Sequence, residues 1–575
     1  MVRIKNMSKY KIPFIIVFFM VLSFLIVVPL SQYGRIALTA DGGFHFSRVE
    51  EIYRNLKSGT FFTFVSTRTF HHSGVGSFLF YPSVFLYPWA FLRFFFNPIN
   101  SFYVWYGLMT FLTFIISFSS MLSFSKNIKR SIFFAIIYVF AGYHLYLGMW
   151  SYVLGEFIAA TFLPLAFIGF YHVFWGDYKK WYWLSIGVSL IAYSHLLSLV
   201  ITIFIFSILV LSKIIVTRKI HRHRIIALGK SILLASGLSA WLLVPFITDY
   251  LGSSIVQPAP GLEFIASPSD LFLRSISNLA NTQYSIGFVL LFATLFGWIF
   301  VKRESGKEKT IYSIGVILLF ISTSFFPWNY LEKTMFATIQ FPYRLLSFGS
   351  LFMAVTASMI IVKLIFSFSK TNGIFVSLGI ILFMFGGYLS SQQEKVSQIK
   401  TQSALYLKSA PKTADFTALP EVAQVDNRNY NQIFSYSVRF GETDYYPKTW
   451  ASNEANPVRN KHVQSILKQR VFVDGRDVTY HLESGPNVLK YNVALKKATK
   501  INLPAIRYKR IVAYVNGHRK KIITNKRGTV TVKGVKGQNR IKIKYEPSVA
   551  YYYLFSIMVL CWLGMGTIQL IKLKG

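Results

Sequence analysis

Long apolar runs alternate with short polar loops along most of this chain. A helix that crosses a bilayer needs about 20 mostly apolar residues. Runs near 13–31, 100–124, 131–149, 156–175, 181–195, 197–213, 229–248, 284–302, 310–326, 345–366, 372–391 and 549–571 meet that requirement. They predict about twelve membrane-spanning helices. The run 76–97 is also apolar but carries Pro82, Pro88 and Arg93. It reads as a bent segment that does not span. A different pattern occupies 392–547. Short alternating runs at 471–474, 477–482, 488–495, 501–507, 510–515, 528–533 and 540–545 are separated by turn signals such as Asp474-Gly475 and Asn516-Gly517. That pattern predicts a small β-sandwich; the stretch 392–440 is less regular. The expected fold is a polytopic α-helical membrane protein with an external β-sandwich-like domain before the last helix. Its parts are a membrane domain over 1–391, a first external loop over 32–75, a β-rich domain over 392–547 and a C-terminal helix over 548–575.

Composition agrees with a membrane protein. Of 575 residues, 53% are hydrophobic, 18% aromatic and only 14% charged, and mean hydropathy is +0.45. Disorder, a coiled coil and a disulfide scaffold are excluded. Cys561 is the single cysteine, so neither an intrachain disulfide nor a Cys-based zinc site can form. The net charge of +39 is extreme for so few charged residues. Basic residues cluster before the first helix and in the loops 125–130, 176–180, 213–230 and 302–309. Lys and Arg accumulate in cytoplasmic loops. All these loops are cytoplasmic together only if 76–97 does not cross. Twelve crossings then leave both termini cytoplasmic and 392–547 extracellular. Residues 1–40 also carry the parts of a signal peptide, but the apolar run is long and a retained helix fits better. The segment 391–547 holds 29 Lys+Arg and 11 Asp+Glu. Such charge attracts an anionic cell-envelope polymer, teichoic acid for instance, or anionic headgroups of membrane lipids. No nucleic-acid partner is expected.

Candidate chemistry begins in the first loop. The run 44–57 reads as an amphipathic helix whose apolar stripe lies on the membrane surface. Asp41, His45 and Arg48 then share one side. A carboxylate can act as general base and a guanidinium can hold a phosphate. Asp41 equally suits the N-cap of that helix. Glu156, at the outer end of its helix, is costly in a membrane unless paired; it is either functional or a structural partner of Arg35, Arg48 or Arg344. His195 sits in a turn between two short helices, where it binds a ligand or caps the turn. Arg344 at a helix end suits a lipid phosphate or snorkels to the interface. Adjacent His71 and His72 lack metal-ligand spacing. Asp270 and Arg274 read as an i,i+4 ion pair. Tyr445, Tyr446 and Trp450 either stack on sugars or form core. No phosphate-binding Gly loop and no nucleophile elbow occur.

Several motifs carry a family resemblance. The run Ala40-Asp41-Gly42-Gly43-Phe44-His45-Phe46-Ser47-Arg48 resembles the D-x-x-x-H-x-x-R pattern that opens bacterial YfhO-like and 6-pyruvoyl-tetrahydropterin synthase-related membrane proteins. Leu154-Gly155-Glu156-Phe157 with Phe162-Leu163-Pro164-Leu165 resembles their G-E…L-P-L helix. Ser194-His195-Leu196-Leu197 is similar to their His turn, and Ile339-Gln340-Phe341-Pro342-Tyr343-Arg344 to a late Q-F-P-[WY]-R segment.

The resemblance implies a GT-C-like fold and a glycosyltransferase of the bacterial plasma membrane. It implies a polyprenyl-phosphate-linked sugar as donor, undecaprenyl phosphate being the carrier, at the outer face. Asp41, His45 and Glu156 would then be catalytic, with Arg48, His195, Gln340 and Arg344 binding substrate. No second acid adjoins Asp41, so no metal and no other cofactor is expected. A transporter or flippase and a non-catalytic envelope-assembly protein are the alternatives.

Overall fold

The computed structural model describes residues 11–251, 255, 261–262, 264–367, 370–401, 419, 422–438, 441–447 and 460–574. Among these, eight helices are long and apolar enough to cross a membrane: Ile12–Ser31, Pro98–Ser125, Leu154–Phe174, Leu196–Thr217, Arg222–Tyr250, Pro342–Ile365, Thr371–Lys400 and Val549–Thr567. Ile128–Val139 and Gly142–Trp150 make a ninth if counted as one span bent by 53°. The chain is a multi-pass membrane protein with a β-rich C-terminal region.

The other expected runs form shorter or bent helices, so this criterion alone does not give a count of twelve. The run 131–149 turns extended at Ala141. The runs 181–195, 284–302 and 310–326 contain helices of 11, 14 and 16 residues. At 1.5 Å per residue these reach only about 16 to 24 Å, short of a hydrocarbon core of about 30 Å. The segment 76–97 holds two short helices, Ser77–Phe80 and Leu86–Leu92, neither long enough to span.

By contacts the chain forms two compact units. One comprises Met1–Arg35, Phe102–Ala235 and Ala259–Thr401; the other Ile36–Ser101, Ser236–Pro258 and Gln402–Gly575. The expected boundary at 391 is therefore crossed twice by earlier segments, since the first loop and residues 236–258 group with the C-terminal part.

In the first unit, the Pro342–Ile365 helix is almost wholly buried, as is most of Leu154–Phe174. The outer helices present bare apolar side chains such as Val216 and Phe375, the surface a bilayer covers. Leu154–Phe174 meets Tyr182–Ala192 at glycines. A Cβ on Gly169 would lie 2.2 Å from the Leu184 nitrogen, and one on Gly187 2.5 Å from the Ala166 nitrogen. Small residues allow this backbone approach, the usual means of helix association in membranes.

The second unit contains eleven strands' worth of β structure apart from one residue. A short pair joins β1 (Arg35–Leu38) to β2 (Ala423–Asp426). The rest is β3 (Val471–Val473), β4 (Arg476–Val478), β5 (His481–Gly485), β6 (Val488–Leu495), β7 (Lys500–Ile506), β8 (Ile511–Val515), β9 (His518–Lys520), β10 (Thr529–Lys533) and β11 (Gly537–Tyr545). They form two antiparallel sheets, in the orders β10-β7-β3-β4 and β5-β6-β11-β8-β9. Period-2 alternation buries Leu489, Tyr491, Val493 and Leu495 along β6. Leu495 of one sheet and Ile501 of the other both approach Gly534.

Candidate functional site

Each unit holds a buried polar constellation. In the first, Glu156 stands in the opening turn of Leu154–Phe174, and Arg344 ends the 3₁₀ turn Pro342–Arg344 that opens the central helix. Their side chains meet, with Arg344 Nε 3.6 Å from Glu156 Oε2. Glu156 Oε1 accepts hydrogen bonds from the Tyr143 hydroxyl at 2.9 Å and the Ser347 hydroxyl at 3.1 Å. Arg344 Nη1 donates to the Ile339 carbonyl at 2.9 Å and to Gln340 Oε1 at 2.8 Å. Gln340 takes an unusual backbone conformation, φ 61° and ψ −60°, which turns the chain toward the arginine. Tyr143 and Tyr343 pack edge to face at 6.2 Å beside the pair. Arg344 Nη2 hydrogen-bonds to no described residue. Three predicted site residues, Glu156, Gln340 and Arg344, are thus brought together from distant parts of the chain. Glu156 has Arg344 as its partner, not Arg35 or Arg48.

His195 caps Leu196–Thr217. Its Nδ1 accepts from the Ser198 amide at 3.3 Å and faces the Ser198 hydroxyl at 2.9 Å. The ring lies within electrostatic reach of Arg344.

In the second unit, the expected helix is present as Gly42–Lys57, but it does not lie on a surface. Every residue from Gly42 to Ile52 is buried, because its charges find partners distant in the chain. Arg48 is fully buried. Its Nη2 donates to the Tyr81 and Pro82 carbonyls at 2.7 and 3.0 Å, and its guanidinium faces the Phe44, Phe78 and Tyr81 rings at 5.4, 5.2 and 4.7 Å. Burial lowers its pKa to about 10, so it stays charged at neutral pH. Arg48, expected to hold a lipid phosphate, is thus placed inside the second unit against backbone carbonyls and aromatic rings. Nη2 ties the 81–82 turn to the helix, while Nε and Nη1 are buried without a hydrogen bond to a described residue. Glu50 pairs with Arg54 at 2.7 Å and Arg93 at 2.9 Å.

Asp41 occupies the N-cap position, yet its side chain makes no capping hydrogen bond. It is half-buried, beyond the left-handed Ala40 at φ 41°. His45 is buried against the rings of Phe44 and Tyr81. Tyr445 stacks on Phe44 at 6.0 Å and Phe80 at 6.3 Å. Asp41, Asp444 and Arg48 all act electrostatically on its phenol. Tyr446 is core and Tyr445 is half-buried among rings; Trp450 lies outside the described residues. Among the described residues no cluster of three or more His, Cys, Asp or Glu is placed to hold a metal.

No family model and no curated protein matches this chain. Among solved structures, the mycobacterial arabinofuranosyltransferase AftD, determined by single-particle cryo-EM, is similar over 66% of this chain at 13% identity and a TM-score of 0.41. The likeness covers 27% of that chain, so this protein spans about a quarter of its length. A likeness at this level assigns no residue and no activity.

Three buried carboxylates escaped the sequence. Glu51 accepts from the Thr67 and Arg68 amides and the Thr67 and Thr69 hydroxyls. Asp249 accepts from the Tyr545 hydroxyl at 2.8 Å and the Arg510 amide at 3.2 Å. Glu442 accepts from the Val438 amide at 2.8 Å, and burial raises its pKa to about 8. Glu51 and Glu442 sit in polar stretches, and Asp249 ends a long apolar helix; none has a local signal of its partners. Asp270 and Arg274 form no ion pair. Asp270 instead accepts from the Ser267 hydroxyl at 2.6 Å while its amide donates back to that oxygen at 3.0 Å, a helix-capping arrangement.

Proposed function

We propose that this chain is a membrane glycosyltransferase of the GT-C type. It moves a sugar from a polyprenyl-phosphate donor to a cell-envelope polymer or glycolipid at the outer face of a bacterial plasma membrane. The observation that carries the reading is the Glu156–Arg344 cluster. Breaking the sugar–phosphate bond leaves negative charge on the phosphate, and a pre-set guanidinium stabilises such charge as it develops. Arg344 is held by Glu156 on one side and by Gln340 and Ile339 on another, while its Nη2 edge makes no hydrogen bond to a described residue. Glu156 and Gln340 are thus positioning residues for Arg344, and His195 shapes the same region.

Asp41 is the general base for the acceptor hydroxyl, with His45 orienting it. The support is the placement of Asp41, half-buried, at the start of the helix that carries His45 one turn on. The chemistry as written needs no metal ion. The basic residues of 392–547, on the extracellular side by the charge rule with both termini cytoplasmic, draw in an anionic polymer such as teichoic acid.

The test is sugar transfer by the full chain in lipid, using radiolabelled undecaprenyl-phosphate sugars and wall polymer. Asp41→Asn should lower kcat about 10²- to 10⁴-fold with donor binding kept. Arg344→Gln should weaken donor binding. Transfer undiminished in Asp41→Asn removes the base; no transfer and no donor binding across several donors overturns the whole reading. One observation favours a second reading, a lipid flippase: the break and 53° bend between Ile128–Val139 and Gly142–Trp150 is a feature of transporters. Donor lipid crossing vesicles without sugar transfer would select it.

A further inference from the structure

The first unit contains a cavity that the proposed chemistry does not use. Its volume is about 450 Å³, within the range of about 300 to 1,000 Å³ for ligand pockets. The walls are apolar and come from several helices, with Phe124, Phe167, Phe170, Ile314, Leu351 and Phe352 among them. Val216 also lines it and is 81% exposed, so the cavity opens sideways onto the surface that a bilayer covers. Along Leu154–Phe174, Tyr171 at its rim lies 15 residues from Glu156, about 22 Å by helix rise. The two sites are separate.

Polarity is confined to one end. Lys307 Nζ donates to the Tyr171 hydroxyl at 2.8 Å and lies 5.4 Å from that ring. Lys213 Nζ donates to the Phe174 carbonyl and lies 4.7 Å from the Trp175 ring. Both lysines line the cavity, and their partners Tyr171 and Phe174 are three residues apart on one helix. Neither forms an ion pair with a described residue. The nearest acid in sequence, Glu308, spends both oxygens on Arg130, at 2.8 and 2.9 Å. Lys213 also helps satisfy the end of Leu154–Phe174, as does Arg224, which donates to the Val173 carbonyl at 2.8 Å. That role takes one of the three ammonium hydrogens and leaves donors over.

We propose that this cavity binds an anionic phospholipid, one acyl chain filling the apolar space and the headgroup phosphate bridging Lys213 and Lys307. A zwitterionic headgroup would bring its own cation against two lysines and is disfavoured. Each lysine near an anionic headgroup is worth about fivefold in affinity, so phosphatidylglycerol should bind about 25-fold more tightly than phosphatidylcholine of the same chains.

The experiment is native mass spectrometry of the delipidated full chain titrated with each lipid. Lys307 is exposed and its hydrogen bond to a described residue is the one to Tyr171, so Lys307→Gln leaves the fold alone. It should weaken phosphatidylglycerol about fivefold and leave phosphatidylcholine unchanged. Ile314→Trp, which fills the cavity, should abolish tight binding of the anionic lipid while the protein elutes as wild type in size exclusion. Equal binding of the two lipids by the wild type overturns the proposal. So does phosphatidylglycerol binding undiminished in both variants, which would place the lipid on the general protein–lipid boundary.

Discussion

Replacing Glu51 by Gln is a test of whether a carboxylate is needed where it stands. The side chain is fully buried. Oε1 accepts from the Thr67 amide at 3.0 Å and Oε2 from the Arg68 amide at 2.9 Å. The Thr67 and Thr69 hydroxyls add contacts at 3.2 and 3.0 Å. A hydroxyl can rotate and accept, but a backbone N–H can only donate. Glutamine has one acceptor oxygen, so either flip of its amide sets an NH₂ against a backbone N–H. A buried donor left without a partner costs about 1–3 kcal/mol, or about 5- to 150-fold in local opening. Burial also raises the Glu51 pKa, with the two amides and two hydroxyls working against that rise. Hydrogen exchange of the full protein should show the peptide spanning 62–75 exchanging faster by that factor in Glu51→Gln, and faster still in Glu51→Ala. The same segment carries Phe70, His71 and His72 at φ 49°, 55° and 53°, a left-handed turn costly for such residues. Glu51 anchors the residues entering that turn. Unchanged exchange in Glu51→Gln, with Glu51→Ala no worse, would refute this account.

Three other perturbations follow from buried charge. Burial raises the Glu442 pKa from 4.5 to about 8, so its contribution is complete below about pH 4.5 and is lost as pH rises through about 8. Thermal melts between pH 6 and 9 should therefore fall more steeply for wild type than for Glu442→Gln, and parallel curves would count against it. Glu308→Ala leaves Arg130 buried without its bidentate partner and should cost about 3–5 kcal/mol; in melts, Arg130→Met with Glu308→Leu should recover most of the loss. Asp249→Ala orphans the buried Tyr545 hydroxyl at about 1–3 kcal/mol, and adding Tyr545→Phe should relieve part of it, a non-additivity readable in a double-mutant cycle.

Local pattern carried much of the architecture. The period-2 run 488–495 coincides with β6. Asn516 and Gly517 make their turn at φ 51° and 87°, as an Asn-Gly pair between strands should. Hydropathy found the long spans, since length and apolarity are local properties. It could not show where an apolar run breaks, because the break after Val139 and the short Tyr182–Ala192 helix depend on what each packs against. The site divides the same way. Glu156 and Arg344 were legible as unusual residues at helix ends and Gln340 through the motif resemblance, and their convergence is geometry. Helical spacing set Arg48 on a polar face but could not show its partners, which are carbonyls 33 and 34 residues onward. Asp249 was invisible because its partner tyrosine is 296 residues away.

That separation in sequence has a consequence in time. Residues 36–101 belong to the same compact unit as 402–575, yet they leave the ribosome long before their partners exist. At about 5–20 residues per second, the roughly 300 intervening residues take about 15 to 60 s to make. Throughout that interval the helix bearing Asp41 and the buried Arg48 lacks the strands and turns that complete its unit. A newborn chain must therefore keep this loop shielded from misassembly and proteolysis until translation has almost finished. Stopping the message after residue 391 would leave the loop incomplete, so the first polar loop and the last third of the protein are inherited together or not at all.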